Sequence, residues 1–277
     1  MVTNRLFHCL IYLLLTLACS PLKVGAQSRS IHKTAIQLSS YNLIFTKVRV
    51  NGREVLALID SGSSRPLEIS SHLAQELSIP LIEDKTRTIR GHDGKPFYLS
   101  RGRLQSFVIG DSEKKDIDIE VAGEHLVDIA KQVNTTVEVL IGWGFLSRGY
   151  VVIDYPHLTL ELSDQPMETG GGDLHLGYSV VNNVPIVRGA MDDGEINLLF
   201  DTGAPMSNID ASYVQVEIGG KVTKETVLGN HKVSLEWRVK DLSVIKGSLG
   251  CTGVIGNNFL SRYRLYFDTK NKVVYFS

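Results

Sequence analysis

The strongest constraint on what this chain can fold into is that it repeats itself. Asp60-Ser61-Gly62-Ser63 closes the apolar run Val55-Leu56-Ala57-Leu58-Ile59, and Asp201-Thr202-Gly203-Ala204 closes Ile196-Asn197-Leu198-Leu199-Phe200. One such triplet means little, because Asx side chains and glycine suit any turn. A second block follows each. Ile141-Gly142-Trp143-Gly144-Phe145-Leu146-Ser147-Arg148 is matched by Ile255-Gly256-Asn257-Asn258-Phe259-Leu260-Ser261-Arg262, and an acidic residue, Asp154 or Asp268, follows each Ile-Gly at one common offset. Coincidence does not preserve that register without a gap.

Hairpin signals precede both triplet strands: Asn51-Gly52 after Lys47-Val48-Arg49-Val50, and Asp193-Gly194 after Ile186-Val187-Arg188. Asn-Gly and Asp-Gly favour the two-residue turns that join antiparallel strands. Fainter echoes lie between the blocks. Thr88-Ile89-Arg90-Gly91-His92 parallels Thr226-Val227-Leu228-Gly229-Asn230, and the strand Leu104–Ile109 parallels Val239–Ile245. The chain therefore reads as two copies of one unit. Short runs rich in Val, Ile, Leu and Tyr between Gly, Asn and Asp turns predict an all-β architecture with few short helices. The clearest helix is 71–77, capped by Ser70 or Ser71 and stopped by Pro80. A Gly-rich stretch, Gly170-Gly171-Gly172, marks the junction. The expected parts are a leader over 1–26, a first lobe over 27–163, a linker over 164–173 and a second lobe over 174–277.

These residues resemble the aspartic peptidases, and specifically the bacterial retropepsin-like proteins, in which Asp-Ser/Thr-Gly and a later hydrophobic-hydrophobic-Gly mark each lobe. The resemblance implies a bilobal acid-protease fold, two retropepsin-like β-barrel lobes related by a pseudo-twofold axis. Asp60 and Asp201 would be the catalytic pair, with carboxylates at hydrogen-bonding distance of about 3 Å. Ser61 and Thr202 would brace the two loops, Gly62 and Gly203 would let them approach, and the strands ending Ile141-Gly142 and Ile255-Gly256 would support the pair. The flap over the cleft would be Gly91-His92-Asp93-Gly94; an ordinary exposed turn is the plain alternative, and Gly229-Asn230-His231-Lys232 is its counterpart in the second copy. Pro205 and Arg65-Pro66 depart from the family's usual loop residues.

The implied reaction is hydrolysis of peptide bonds by water activated between Asp60 and Asp201, in an aspartic endopeptidase. Two carboxylates this close cannot both ionise, so they share a proton. The rival reading is a non-catalytic envelope protein that keeps the fold and binds extended peptides by strand addition.

Composition removes other classes. With 29 basic and 30 acidic residues the net charge is −1, and it becomes −3 if Arg5 and Lys23 leave with the leader. Nucleic acid is not an expected partner; a peptide or protein substrate is, with the chain a monomer of pseudo-dimeric lobes. No His-Glu-x-x-His or Cys-x-x-Cys is present to hold zinc, and no Gly-x-Ser-x-Gly elbow surrounds Ser63 or Ser64. Neither a metal nor a cofactor is expected.

The N-terminal segment has Arg5, the apolar run Leu10–Ala18 and Val24-Gly25-Ala26, which reads as a secretory leader cut after Ala26. A lipoprotein reading would instead make Cys19 the modified first residue and tie the protein to a membrane; Thr16 is a poor match for it. Either way the expected location is exported: periplasmic, secreted or envelope-associated. Of the three cysteines only Cys251 lies beyond the leader, so no intrachain disulfide is expected and Cys251 reads as a small buried hydrophobe.

Overall fold

The computed structural model describes residues 30–90, 96–121, 125–172, 174–192 and 194–277. The leader, with Cys9 and Cys19, and the flap candidates Gly91, His92, Asp93 and Gly94 lie outside the described residues. The first half contains β1 (Ile31–Leu38), β2 (Ile44–Val50), β3 (Arg53–Asp60), β4 (Leu67–Ile69), α1 (Ser71–Glu76), β5 (Ile82–Arg90), β6 (Pro96–Ile109) and β7 (Ser112–Val121). It continues through α2 (His125–Val133), β8 (Val139–Gly142), α3 (Trp143–Leu146), β9 (Tyr150–Asp154) and β10 (Thr159–Ser163). The second half contains β11 (Leu174–Val181), β12 (Val184–Met191), β13 (Gly194–Phe200), β14 (Asn208–Asp210), β15 (Lys221–Leu228), β16 (His231–Lys240), α4 (Ser243–Leu249), β17 (Gly253–Ile255), α5 (Asn257–Leu260), β18 (Arg264–Asp268) and β19 (Val273–Phe276). The fold is all-β with short helices.

Strand pairing gives the two halves one topology. In the first, β3 runs parallel to β8, with Ile59 opposite Ile141 and Asp60 opposite Gly142. In the second, β13 runs parallel to β17, with Phe200 opposite Ile255. β4 lies antiparallel to β8, and β14 to β17. The turn Asn51-Gly52 joins β2 to β3 with both residues at positive φ, 47° and 88°, the geometry that suits the right-handed twist of the flanking strands. In the second half the turn sits one residue earlier than expected. Met191 pairs with Gly194, so Gly194 opens β13, and Asp192 takes the positive φ of 49°; Asp193 lies outside the described residues.

The two halves are joined by one antiparallel sheet in the order β1-β10-β9-β18-β19-β11. At its centre Ile153 pairs with Leu265 and Val151 with Phe267. Since the repeat makes Val151 the counterpart of Leu265 and Ile153 that of Phe267, this register is itself two-fold about Val152 and Tyr266. The outer strands serve two sheets each. β1 pairs with β10 through Ile31–Ala35 and then with β2 through Ile36–Leu38, while β11 pairs with β19 and then with β12. A continuous apolar core follows, reaching from Val48, Leu67 and Phe107 to Trp237, Ile255 and Phe276. Trp143, from α3, packs edge-on against Phe267 and Tyr178 of the other half at 5.2 and 5.7 Å between ring centroids.

Two of the internal echoes align differently in space. Phe107 faces Val50 in the first half, and Thr226 faces Met191 at the matching place in the second. Thr226-Val227-Leu228-Gly229 is therefore the counterpart of Phe107-Val108-Ile109-Gly110, not of residues 88–91, and both glycines sit at positive φ, 60° and 58°. The turn at Gly229 is a short hairpin rather than a second flap, and β5 with the first part of β6 has no equivalent in the second half. Within Val239–Ile245, only the first two residues are strand; Ser243 begins α4, which ends on left-handed Gly250. The region after Asp210 forms a single 3-10 turn, Ala211–Tyr213, where the first half has α1. The predicted Ser70 cap is present, its hydroxyl accepting from the Leu73 amide at 3.0 Å. Gly172 is tightly placed: an added Cβ would lie 1.6 Å from the Phe276 carbonyl oxygen, so the glycines follow a fixed path along the last strand.

Candidate active site

Asp60 ends β3 and Asp201 follows β13, so each carboxylate sits where an apolar strand leaves its barrel for a tight loop. The loops meet on the pseudo-axis through two hydroxyls. Ser61 Oγ donates to the Phe200 carbonyl at 2.8 Å and accepts from the Thr202 amide at 3.0 Å; Thr202 Oγ1 donates to the Ile59 carbonyl and accepts from the Ser61 amide, both at 3.0 Å. A hydroxyl donates and accepts through one small oxygen, which suits Ser and Thr to these positions. Both are fully buried, and so are the groups they satisfy.

Gly62 and Gly203 make room for the opposite aspartate. A Cβ on Gly62 would lie 2.4 Å from Asp201 Cγ, and one on Gly203 would lie 2.5 Å from Asp60 Cγ. The supporting glycines do the same for the loops behind: a Cβ on Gly142 would lie 2.1 Å from the Arg65 carbonyl oxygen, and one on Gly256 would lie 2.6 Å from the Met206 carbonyl carbon. The loops are also closed by equivalent backbone bonds, Trp143 N–H to Ser63 O and Asn257 N–H to Ala204 O, both at 2.8 Å. Pro205 fits this arrangement. Its carbonyl accepts from the Asn258 amide at 3.1 Å, and its missing N–H is not called on.

Each carboxyl thus lies against the opposite loop, and the two act on each other's ionisation. Burial raises both above the ordinary carboxylate range, and Asp201 is raised further by the charge of Asp60 and by donating to it. The neighbours explain which partner keeps the proton. Asp60 Oδ1 accepts from the amides of Gly62 and Ser63 at 2.9 and 3.1 Å, with the Arg65 and His125 charges favouring its ionised form. Asp201 Oδ1 accepts from Gly203 at 2.7 Å. The pair thus titrates as a unit, and with both carboxyls raised and Asp201 raised further, the two can share one proton.

Two residues that sequence reasoning did not single out lie directly behind the pair. Tyr155 OH donates to Asn257 Oδ1 at 2.6 Å, and Asn257 Nδ2 donates to the Thr202 carbonyl at 2.7 Å, so a first-lobe phenol holds the second-lobe loop. The signal was present in the second block, where buried Asn257 replaces Trp143 at the one strongly dissimilar matched position. Glu68 is a further buried charge, fully enclosed and contacted by Arg65 and by His125 Nδ1 at 2.8 Å. It anchors Arg65 beside Asp60.

His72, Glu76 and Glu138 are close enough to share a cation, but Arg53 is ion-paired with both glutamates, so that cluster is already neutralised.

Comparison with known proteins agrees with this geometry. Residues 46–145 match the family model described as Aspartyl protease. That stretch is similar to an aspartyl-protease lobe. It holds Asp60, Ser61, Gly62, Ile141 and Gly142. No curated protein matches the chain. Among solved structures, a retropepsin-like aspartic protease from Rickettsia conorii is similar at 23% identity, covering 49% of this chain and 93% of that one with a TM-score of 0.36. The family match supports a hydrolase of the aspartic protease class.

Proposed function

We propose that the protein is an exported aspartic endopeptidase that hydrolyses peptide bonds with water activated between Asp60 and Asp201. The observation that carries this reading is the facing pair of carboxyls, each against the glycine of the opposite loop and held by the reciprocal Ser61–Thr202 brace. The ionised carboxylate takes a proton from water as that water attacks the peptide carbonyl. The protonated partner donates toward the developing oxyanion, and the proton then passes to the leaving amine; general acid and base catalysis proceeds without a covalent intermediate. Each lobe supplies one carboxylate and one hydroxyl, so neither is sufficient alone. A protein that only bound peptides would have no use for a shared, buried proton. Export is supported by the apolar leader sequence, and among the described residues no helix is long and apolar enough to cross a membrane.

Digestion of a denatured protein across a pH series, with and without a statine-type inhibitor, tests the reading. Cleavage that the inhibitor blocks supports it; a folded protein that cleaves nothing at any pH overturns it in favour of peptide binding.

A further inference from the structure

Beside the carboxyl pair a pocket of about 370 Å³ opens between the lobes. Its inner wall is Leu58 and Asp60 of one lobe with Gly203 and Met206 of the other, and its outer wall carries Arg238 and Lys240. Those two cations are alternate residues of β16, which places their side chains on one face of the strand roughly 7 Å apart. Both are exposed, and neither forms an ion pair among the described residues. Two acids beside them in the sheet are already engaged: Glu236 pairs with Lys221 at 2.8 Å, and Asp210 accepts from the Ser212 and Leu242 amides at 3.0 and 2.8 Å.

Among the described residues, the equivalent place in the opposite lobe offers no such charge. The residue of β7 that faces β4 is Glu120, opposite Glu68, whereas the residue of β16 that faces β14 is Arg238, opposite Asn208. Arg65, the nearby cation on that side, is ion-paired with Glu68. Asn208 also lines the pocket; its amide donates to the Met206 carbonyl at 2.8 Å and its Oδ1 is enclosed behind the pocket surface. At these matched positions the duplicated cleft thus differs in charge between its two halves. Two cations free of ion pairs among the described residues suit a segment that presents a carboxylate.

We propose that this pocket is a substrate subsite for an acidic group of the peptide, a Glu or Asp side chain or a free C-terminal carboxylate, recognised by Arg238 and Lys240. The inference rests on the endopeptidase reading and adds the substrate class. Arg238 can meet a carboxylate with two parallel donors and Lys240 with a point charge. Their long range also draws acidic peptides toward the cleft against the single negative charge of the Asp60–Asp201 pair.

The test is a panel of matched peptides carrying Glu, Gln or Lys at each position around the cleaved bond, with a second set ending in a free acid or an amide. Each is measured on the wild-type protein and on R238E/K240E, with R238Q/K240Q as a milder pair. At low salt, Glu at one position should raise kcat/KM about five- to tenfold over Lys on the wild type. The preference should shrink in the Gln pair, invert in the Glu pair and fade at high salt. An internal Glu effect and a free-acid effect separate the two sources of carboxylate. Each preference is read as the ratio of Glu to Lys peptides on one and the same protein, so a general loss of activity in a variant does not mimic a change of preference, and circular dichroism checks that each variant is folded. Equal cleavage of Glu and Lys peptides, or a Glu preference that the reversed charges leave unchanged, overturns the subsite while leaving the endopeptidase reading intact. If no peptide is cleaved by any of the proteins, that reading fails, and fluorescence anisotropy of the same labelled peptides still decides the subsite: tighter Glu binding that inverts in R238E/K240E supports it, and equal binding overturns it.

Discussion

Tyr155, in the first lobe, holds Asn257 of the second through a 2.6 Å hydrogen bond, and Asn257 in turn holds the carbonyl of Thr202 beside the Asp201 carboxyl. The contact joins residues 102 positions apart, and all its atoms are buried. Tyr155→Phe keeps the ring and deletes only the donor, which strands Asn257 Oδ1 without a partner. The expected cost is about 1–3 kcal/mol of stability by urea unfolding. Under the proposed mechanism, kcat should fall while KM moves little, because the loop bearing Asp201 is loosened rather than the substrate's contacts.

Thr202 is best tested with a pair of substitutions. Thr202→Val preserves shape but removes the hydroxyl that serves both Ser61 N–H and Ile59 O, leaving two buried groups unpaired; a loss of about 2–4 kcal/mol in chemical denaturation is expected. Thr202→Ser retains the hydroxyl and should stay within about 1 kcal/mol of the wild type. Equal losses in the two variants would mean that the methyl, not the brace, matters.

Asp60→Asn and Asp201→Asn each remove the shared exchangeable proton. Residues that act as one catalytic unit are strongly non-additive. Either variant, and the double variant, should therefore lose several orders of magnitude in kcat, about 10³-fold or more, and by similar amounts. A single variant retaining near wild-type turnover while circular dichroism shows it folded would assign that aspartate a turn role only.

Burial and the Asp60 charge hold the Asp201 carboxyl well above its ordinary range, and the sign of the pH effect follows. A carboxyl raised on folding contributes most stability below its unfolded value, and that contribution is lost as pH rises through the raised folded value. The wild type should thus lose stability between about pH 4 and the raised value, starting from the usual carboxylate range. Asp201→Asn carries no charge to desolvate, so its Tm should exceed that of the wild type near neutrality and converge with it toward pH 4. Activity should follow a bell whose alkaline limb lies above the ordinary carboxylate range, because it marks departure of the shared proton.

The sequence made the centre of the molecule legible and its periphery less so. Asp60, Asp201 and their glycines stand in runs where strand pattern, turn chemistry and close approach all demand the same residues, and the second block repeats those demands. The echo of residues 88–92 in 226–230 aligned to the wrong strand because alternating β patterns read alike at several registers; only the pairing of Thr226 with Met191 fixes its place. The α4 helix was missed for a related reason, since Val244, Ile245 and Leu249 form a short apolar run that suits either element. Nothing local could have joined Tyr155 to Asn257, whose meeting depends on the sheet between the lobes, and the charge of the β16 face has meaning only once that strand is seen to wall the cleft.

The sheet that runs from β1 through β9 and β18 to β11 has a mechanical consequence. Both outer strands are woven into a barrel as well as into the shared sheet, and the glycine junction lies fixed along β19. The halves therefore cannot melt one after the other, and scanning calorimetry should record a single endotherm whose calorimetric and van't Hoff enthalpies agree. For the same reason, a protease nick near Gly171 would leave two fragments that migrate together on a sizing column, a cut covalent chain inside an undivided cooperative unit.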